Sequence, residues 1–190
     1  MYDELVLSKK PRRSSGLVVV KMFLRWILML LDSRCGSYMK LYTMYLKLIG
    51  VNVSGRPLYV CADLKIDGAD HTLISIGHNT VISSEVRILS HDYAVNKALI
   101  HTRFQHVNEI SKLREVKISE NVFVGMRTLI LPGITIGKNS IIGAGSVVTS
   151  DVPENCVYAG NPARLISTLD DYAMKVMQEI KTNPEYFYEN

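Results

Sequence analysis

The 190-residue chain has little cysteine, no dense cluster of basic residues and no long uninterrupted hydrophobic run. Its three cysteines, Cys35, Cys61 and Cys156, lie far apart, and no two have the spacing of a metal site or a redox motif. We therefore expect free thiols in a reducing compartment, the cytoplasm. The net charge of +4 is mild, and a nucleic-acid-binding protein would normally carry a denser basic patch interleaved with aromatic residues.

The longest mainly apolar segment extends from Leu17 to Leu31 and follows a basic stretch, as in a signal peptide. However, Lys21 and Arg25 interrupt it, and no small-residue cleavage site follows. The segment is also shorter than the roughly 20 apolar residues that span a bilayer. We expect a helix that packs against the domain; peripheral membrane contact through this helix is the alternative.

Helices are predicted at both ends of the chain. In the N-terminal region, 1–57, one apolar helix face is formed by Tyr38, Leu41, Tyr42, Tyr45, Leu48 and Ile49. Gly50 follows as a C-terminal cap. In the C-terminal region, 167–190, Ser167 or Thr168 begins a helix, and Asp170 or Asp171 completes a capping box. Its predicted buried face consists of Leu169, Tyr172, Val176 and Ile180.

The middle of the chain has a period of six residues. Aliphatic residues recur at Ile118, Val124, Ile130, Ile136, Ile142 and Val148. A second series precedes each by two residues: Val116, Val122, Thr128, Ile134, Ser140 and Ser146. The same register occurs upstream at Ile76, Ile82 and Ile88. Each unit makes one short strand and one turn, three units close a triangular coil, and stacked coils bury the aliphatic column. The fold class is mainly β, a parallel β-helix over 58–166.

The runs IGHNTVISSEVRIL, VKISENVFVGMRTLILPGITIGKNSIIGAGSVVTSDVP and YAGNPARLI resemble the hexapeptide-repeat acyltransferases, especially the maltose, galactoside and capsular-polysaccharide O-acetyltransferases. This resemblance implies a left-handed β-helix and a homotrimer that binds acetyl-coenzyme A between subunits. It also implies acetyl transfer to a hydroxyl of a sugar or saccharide, with no metal required. The hexapeptide register breaks at about 93–115, where the resemblance implies an extruded loop that reaches the neighbouring subunit's active site.

His91 is the candidate general base, because an attacking hydroxyl must lose a proton near neutral pH. It lies in the run Leu89–Tyr93, and similar enzymes carry a catalytic histidine near this place, often in a His-Asp-His run. Tyr93 stands here in place of the second histidine. Asp92 is expected to orient the imidazole or stabilise its charge. His101 and His106, inside the loop, are weaker candidates.

The resemblance also implies a binding site for the acetyl donor. The matching positions are Met126, Ala144, Thr149, Ser150 and Arg164. Small residues around Ala144 suit a narrow groove along exposed backbone amides. Many relatives have Lys or Arg in place of Ser150, and Arg164 is expected to supply charge to the nucleotide phosphates.

Other functions remain open at this stage. The acceptor could be serine or an amino sugar, and the acyl group could be longer than acetyl. A zinc enzyme like the γ-class carbonic anhydrases would use three histidines, for which His71, His101 and His106 are the available set. A non-catalytic scaffold with the same fold is the third alternative.

Overall fold

The computed structural model describes residues 37–67, 70–101 and 110–188. The predicted helix Leu17–Leu31 and the loop residue His106 lie outside these ranges. Within them, no helix is both long enough and apolar enough to cross a membrane.

Short parallel strands form three sheets along the three sides of a stack of coils. Sheet A contains β1 (Asn52–Val53), β4 (Ile74–Ile76), β9 (Val116–Ile118) and β12 (Thr135–Ile136). Sheet B contains β2 (Tyr59–Val60), β5 (Val81–Ile82), β10 (Phe123–Val124), β13 (Ile141–Ile142) and β15 (Cys156–Gly160), with β16 (Ala163–Thr168) antiparallel at its edge. Sheet C contains β3 (Lys65–Asp67), β6 (Arg87–Leu89), β11 (Leu129–Ile130) and β14 (Val147–Val148). Between β6 and β9, a ribbon of β7 (His91–Asp92) and β8 (Lys112–Leu113) leaves the coils.

The six-residue period is confirmed by the core. Both predicted series are buried throughout, and Ile118 stacks on Ile136, as Ile130 does on Val148. Each coil supplies one strand to sheets A, B and C in turn, so every third repeat returns to the same side. Because β1 already pairs with β4, Asn52–Val53 belongs to the coils. The boundary at residue 58 stays a prediction.

The corners of the coils explain two residue types in the repeat. At the corner between sheets A and B, asparagines with positive φ stack in a ladder of side-chain amide hydrogen bonds of 2.7–2.8 Å: Asn79, Asn121, Asn139 and Asn155. Asparagine tolerates the left-handed conformation that these turns require. Gly125 serves a different need, since a Cβ there would lie 2.5 Å from the backbone nitrogen of Ala144 in the next coil.

Helix α1 (Tyr38–Ile49) ends at the predicted Gly50, whose φ is 104°. The predicted apolar face is partly wrong: Leu41 and Leu48 are exposed, and the buried side chains are Tyr38, Met39, Tyr42, Thr43 and Leu46. The rotation follows from contacts with β2, because the Tyr38 hydroxyl donates to the Val60 carbonyl at 2.8 Å and the Val60 amide donates to Met39 Sδ at 3.3 Å. Burial raises the pKa of Tyr38 well above its ordinary value.

Two further helices follow, α2 (Val95–His101) and α3 (Leu169–Thr182). Helix α3 begins as predicted, since Thr168 Oγ1 accepts from the Asp171 amide at 3.1 Å. Its predicted buried face is wrong, because no residue of α3 is buried and Tyr172 and Ile180 are exposed. The helix contacts β15 and β16 at the edge of sheet B rather than entering the core.

Candidate active site at the base of the insertion

The break in the hexapeptide register corresponds to an insertion between the second and third coils. The segment was expected as a loop, but its described parts carry helix α2 and the antiparallel ribbon β7–β8. Asn96 joins its two arms, because its amide donates to the Ile110 carbonyl at 2.7 Å and accepts from the Ile110 amide at 2.7 Å. The base of the insertion is therefore a defined structural element.

His91 lies at this base, where sheet C turns towards sheet A. Its side chain is 19% exposed, and Nδ1 lies 3.6 Å from Oδ2 of Asp67, whose own side chain is 56% exposed. The Tyr93 ring meets the imidazole edge-on, with 5.0 Å between ring centroids. Ser90 Oγ donates to the Asp67 carbonyl oxygen at 3.1 Å, which ties the end of β6 to β3. A carboxylate near Nδ1 favours a proton on that nitrogen and leaves Nε2 available as a base.

Asp67 is the acidic residue that the sequence did not indicate. It comes beside His91 because β3 and β6 pair with Asp67 opposite Leu89. The predicted partner Asp92 has another contact, since its Oδ1 accepts from the Ala94 amide at 2.8 Å in the turn before α2. A role of Asp92 in catalysis stays a prediction.

The predicted donor-site residues are all exposed but do not form one cluster. Met126 and Ala144 lie at the corner between sheets B and C, where the Gly145 amide donates to the Met126 carbonyl at 2.7 Å. Thr149 and Ser150 directly follow β14, at the carboxyl ends of the sheet C strands. His91 lies at the same ends, just after β6. Arg164 lies in β16, and its Nη1 donates to the Ala163 carbonyl at 2.9 Å.

Of the three histidines proposed for a zinc site, His106 lies outside the described residues, and the other two lie on separate elements. His71 Nδ1 lies 3.2 Å from the Ile49 carbonyl oxygen, at the first coil. His101 is exposed at the end of α2. Across the described ranges, no three histidine, cysteine or acidic side chains are grouped so that they could hold a metal ion.

Comparison with known proteins gives the family. Residues 115–150 match the family described as "Bacterial transferase hexapeptide (six repeats)". Protein CapG of Staphylococcus aureus is 36% identical over 130 residues, 68% of this chain and 73% of that protein. The galactoside O-acetyltransferase of Escherichia coli (strain K12) is 37% identical over 117 residues, 62% of this chain. The chain covers 54% of that enzyme, about half its length.

Solved structures agree on the fold. A galactoside acetyltransferase in complex with coenzyme A gives a TM-score of 0.57 at 23% identity, with 85% of this chain and 86% of that one covered. A maltose O-acetyltransferase from Clostridium difficile 630 gives 0.52 at 24% identity, with 82% and 89% covered. The coils therefore form a left-handed parallel β-helix. With its buried six-residue repeat and its likeness to CapG over two thirds of each chain, the protein belongs to the hexapeptide-repeat acyltransferase family.

Proposed function

We propose that the protein is an O-acetyltransferase that moves an acetyl group from acetyl-coenzyme A to a hydroxyl of a saccharide. Support comes from the galactoside O-acetyltransferases of Escherichia coli and Lactococcus lactis, which are 37% and 35% identical to it. The observation that carries the proposal is the placement of His91: a mostly buried imidazole with a carboxylate 3.6 Å from Nδ1, at the base of the insertion.

In the proposed reaction, His91 Nε2 accepts the proton of the acceptor hydroxyl as its oxygen attacks the thioester carbonyl carbon. A carbon–oxygen bond forms, the carbon–sulfur bond breaks, and the proton passes from the imidazolium to the departing coenzyme A thiolate. Asp67 stabilises the imidazolium while it exists, since an opposite charge nearby favours the charged form.

The donor would lie along the corner that holds Met126 and Ala144. This corner is open, because a Cβ placed at the adjacent Gly145 would meet no atom within 4 Å. The exposed Arg164 would pair with the phosphates of the donor. Ser150 would offer only a hydroxyl where a cation would bind phosphate more strongly.

The positions of the donor residues favour an oligomer. Met126 and Ala144 lie near the amino ends of the sheet C strands, whereas Thr149 and Ser150 lie at the carboxyl ends. Strand β14 separates Ala144 from Thr149. A donor that contacts both groups of residues must either cross β14 or pass from one chain to its neighbour. In a cyclic homotrimer, one of these two ends of the sheet C strands in each chain would lie at the interface with a neighbouring copy. The cytoplasm remains the proposed location. Leu17–Leu31 is proposed to pack against the domain, with peripheral membrane contact as the alternative.

The test compares two histidines of the second coil. His91→Gln is expected to lower kcat by about 10²–10⁴ in a thiol-release assay with acetyl-coenzyme A and galactose, glucose, maltose or N-acetylglucosamine. Donor affinity, measured by calorimetry, should be unchanged. The matched control is His78→Gln, because His78 is exposed at the corner between sheets A and B. It should keep wild-type activity. Wild-type protein that binds no acetyl-coenzyme A, or that acetylates no saccharide, would contradict the proposal.

A further inference from the structure

Helix α1 has a second apolar face, which the coils leave uncovered. The helix lies on the first coil, where it contacts β1 and β2 and buries its inner side. On its outer side, Leu41, Met44 and Leu48 are 44%, 61% and 48% exposed. Their spacing of three and four residues aligns them along one side of the helix, here called the outer stripe. Aligned exposed apolar side chains, unlike single scattered ones, mark a contact surface.

The charges beside the outer stripe are all positive. Lys40 and Lys47 are exposed, and each lies about one helical turn from Met44, on the same flank of the stripe. Arg56, which is also exposed, follows β1 on the first coil. Residues 37–60 contain no aspartate or glutamate. This end of the stack therefore combines apolar side chains with cations alone.

The same sign of charge extends over the whole N-terminal region. Residues 1–57 contain ten lysines and arginines against three aspartates and glutamates, whereas the rest of the chain contains twelve against fifteen. A charge asymmetry of this kind indicates an anionic partner, either a nucleic acid or a membrane. A nucleic-acid backbone would use the lysines but not the outer stripe. The surface of an anionic lipid bilayer accepts both, because the headgroups attract lysine and the acyl region takes up apolar side chains.

Charge also argues against two other occupants of the outer stripe. A second copy of the chain that placed α1 against α1 would bring lysines together. The segment Leu17–Leu31 carries Lys21 and Arg25 and no acidic residue, so its charges also match in sign rather than complement. Like charges at close range oppose both arrangements.

Helix α3 shows that exposed apolar residues alone do not indicate a membrane surface. Its Met174 and Met177 are as exposed as those of α1, but it also carries Asp170, Asp171 and Glu179. These carboxylates would be repelled by anionic headgroups. The cationic surroundings therefore single out α1.

We propose that α1 docks on the surface of an anionic lipid bilayer, with the outer stripe in the interface and Lys40 and Lys47 on the headgroups. A helix of 12 residues that is mounted on the coils lies on a membrane and does not span it. Long lysine side chains can reach the headgroups while their stems lie along the apolar surface. This inference goes beyond the proposed acetyltransferase function and does not depend on it.

The first test is co-sedimentation of the full chain with vesicles made of equal parts phosphatidylcholine and phosphatidylglycerol. Wild-type protein should bind them at least about tenfold more tightly than vesicles of phosphatidylcholine alone. The paired change Lys40→Gln with Lys47→Gln should weaken binding by about tenfold or more, since each lysine near an anionic surface contributes. Leu41→Ser with Leu48→Ser should have an effect of about the same size, because apolar burial is lost.

The matched control is Met174→Ser with Met177→Ser, which changes equally exposed apolar residues on α3. This variant should bind the vesicles as wild type does. Thermal unfolding should show similar Tm values for all variants, because every substituted side chain is exposed.

The second test locates the contact without the paired variants. Trp26 is the only tryptophan of the sequence, so Met44→Trp in a Trp26→Phe background places a single reporter on the outer stripe. Vesicles that contain brominated phosphatidylglycerol should quench its fluorescence. Met174→Trp in the same background, the control on α3, should not be quenched.

Three results would overturn the inference. The first is wild-type protein that does not bind the anionic vesicles. The second is binding that survives both paired changes in α1 but is lost with Phe23→Ser and Trp26→Ser, which would assign it to Leu17–Leu31. The third is a Met44→Trp reporter that vesicles do not quench, as expected if Leu17–Leu31 or a second copy covered the stripe. Saccharide acetylation is measured separately by thiol release, so failure of either proposal leaves the other in place.

Discussion

Two aspartates are candidate partners of His91, and the structure gives them different contacts. Asp67 Oδ2 lies 3.6 Å from Nδ1, across the pairing of β3 with β6. Asp92 directly follows His91, but its Oδ1 accepts from the Ala94 amide. A carboxylate near Nδ1 can fix the tautomer and stabilise the imidazolium. The Asp92 carboxylate, which accepts from a backbone amide, stabilises the turn at the start of α2.

We expect Asp67→Asn to lower kcat by about tenfold, because the half-exposed carboxylate is screened by solvent and acts only through His91. Asp92→Asn should keep kcat within about twofold, since an asparagine side-chain oxygen also accepts in such a turn. Steady-state kinetics with saturating acetyl-coenzyme A measures both variants. In a His91→Gln background, Asp67→Asn should have no further effect. A larger loss in Asp92→Asn than in Asp67→Asn would restore the assignment made from sequence.

The sequence predicted His91 but not Asp67, for physical reasons. His91 ends an unbroken hexapeptide register, so its place at a coil corner can be read from the spacing. Asp67 and Leu89 become neighbours only through strand pairing, and the irregular segment between β3 and β4 hides that register.

Among the structural elements, the coils were predictable and the helix faces were not. Every unit of a six-residue repeat places its aliphatic side chain at the same inward position. The spacing of these side chains therefore predicts the whole stack of coils. Helix α1 is anchored by single contacts of Tyr38 and Met39 with Val60, which no periodicity reveals. The apolar residues of α3 have helical spacing in the sequence, but the helix lies at the edge of sheet B and none of its residues is buried.

Two glycines of the coils allow a matched test of why glycine is needed. Gly145 has φ of +70° and open space around it, whereas Gly125 has backbone of the next coil 2.5 Å from a Cβ. Gly145→Ala should cost about 1 kcal/mol in stability, from the left-handed conformation alone. Gly125→Ala should cost about 3 kcal/mol or more, because two coils must separate. Thermal unfolding at a fixed protein concentration measures both. Equal losses, or a larger loss at Gly145, would refute the close-approach argument.

For the whole molecule, the proposed base and the proposed donor corner are separated on a single chain. His91 lies at the carboxyl end of a sheet C strand, whereas Ala144 lies near the amino end of another strand two coils further along. Exposed apolar side chains also line α3, among them Met174, Met177 and Ile180. Apolar surfaces of this kind often mark protein–protein contacts. Both features fit a ring of copies in which each site takes His91 from one chain and the donor corner from its neighbour.

Mixed oligomers test this arrangement. His91→Gln removes the base, Ala144→Trp fills the donor corner, and each variant alone should be inactive. The two variants are co-expressed with different affinity tags, trimers carrying both tags are purified, and their mass is checked by light scattering. In a cyclic trimer with shared sites, each mixed trimer holds one intact site, so activity should return to about one third of wild type. If His91 and Ala144 of the same chain formed the site, every mixed trimer would remain inactive.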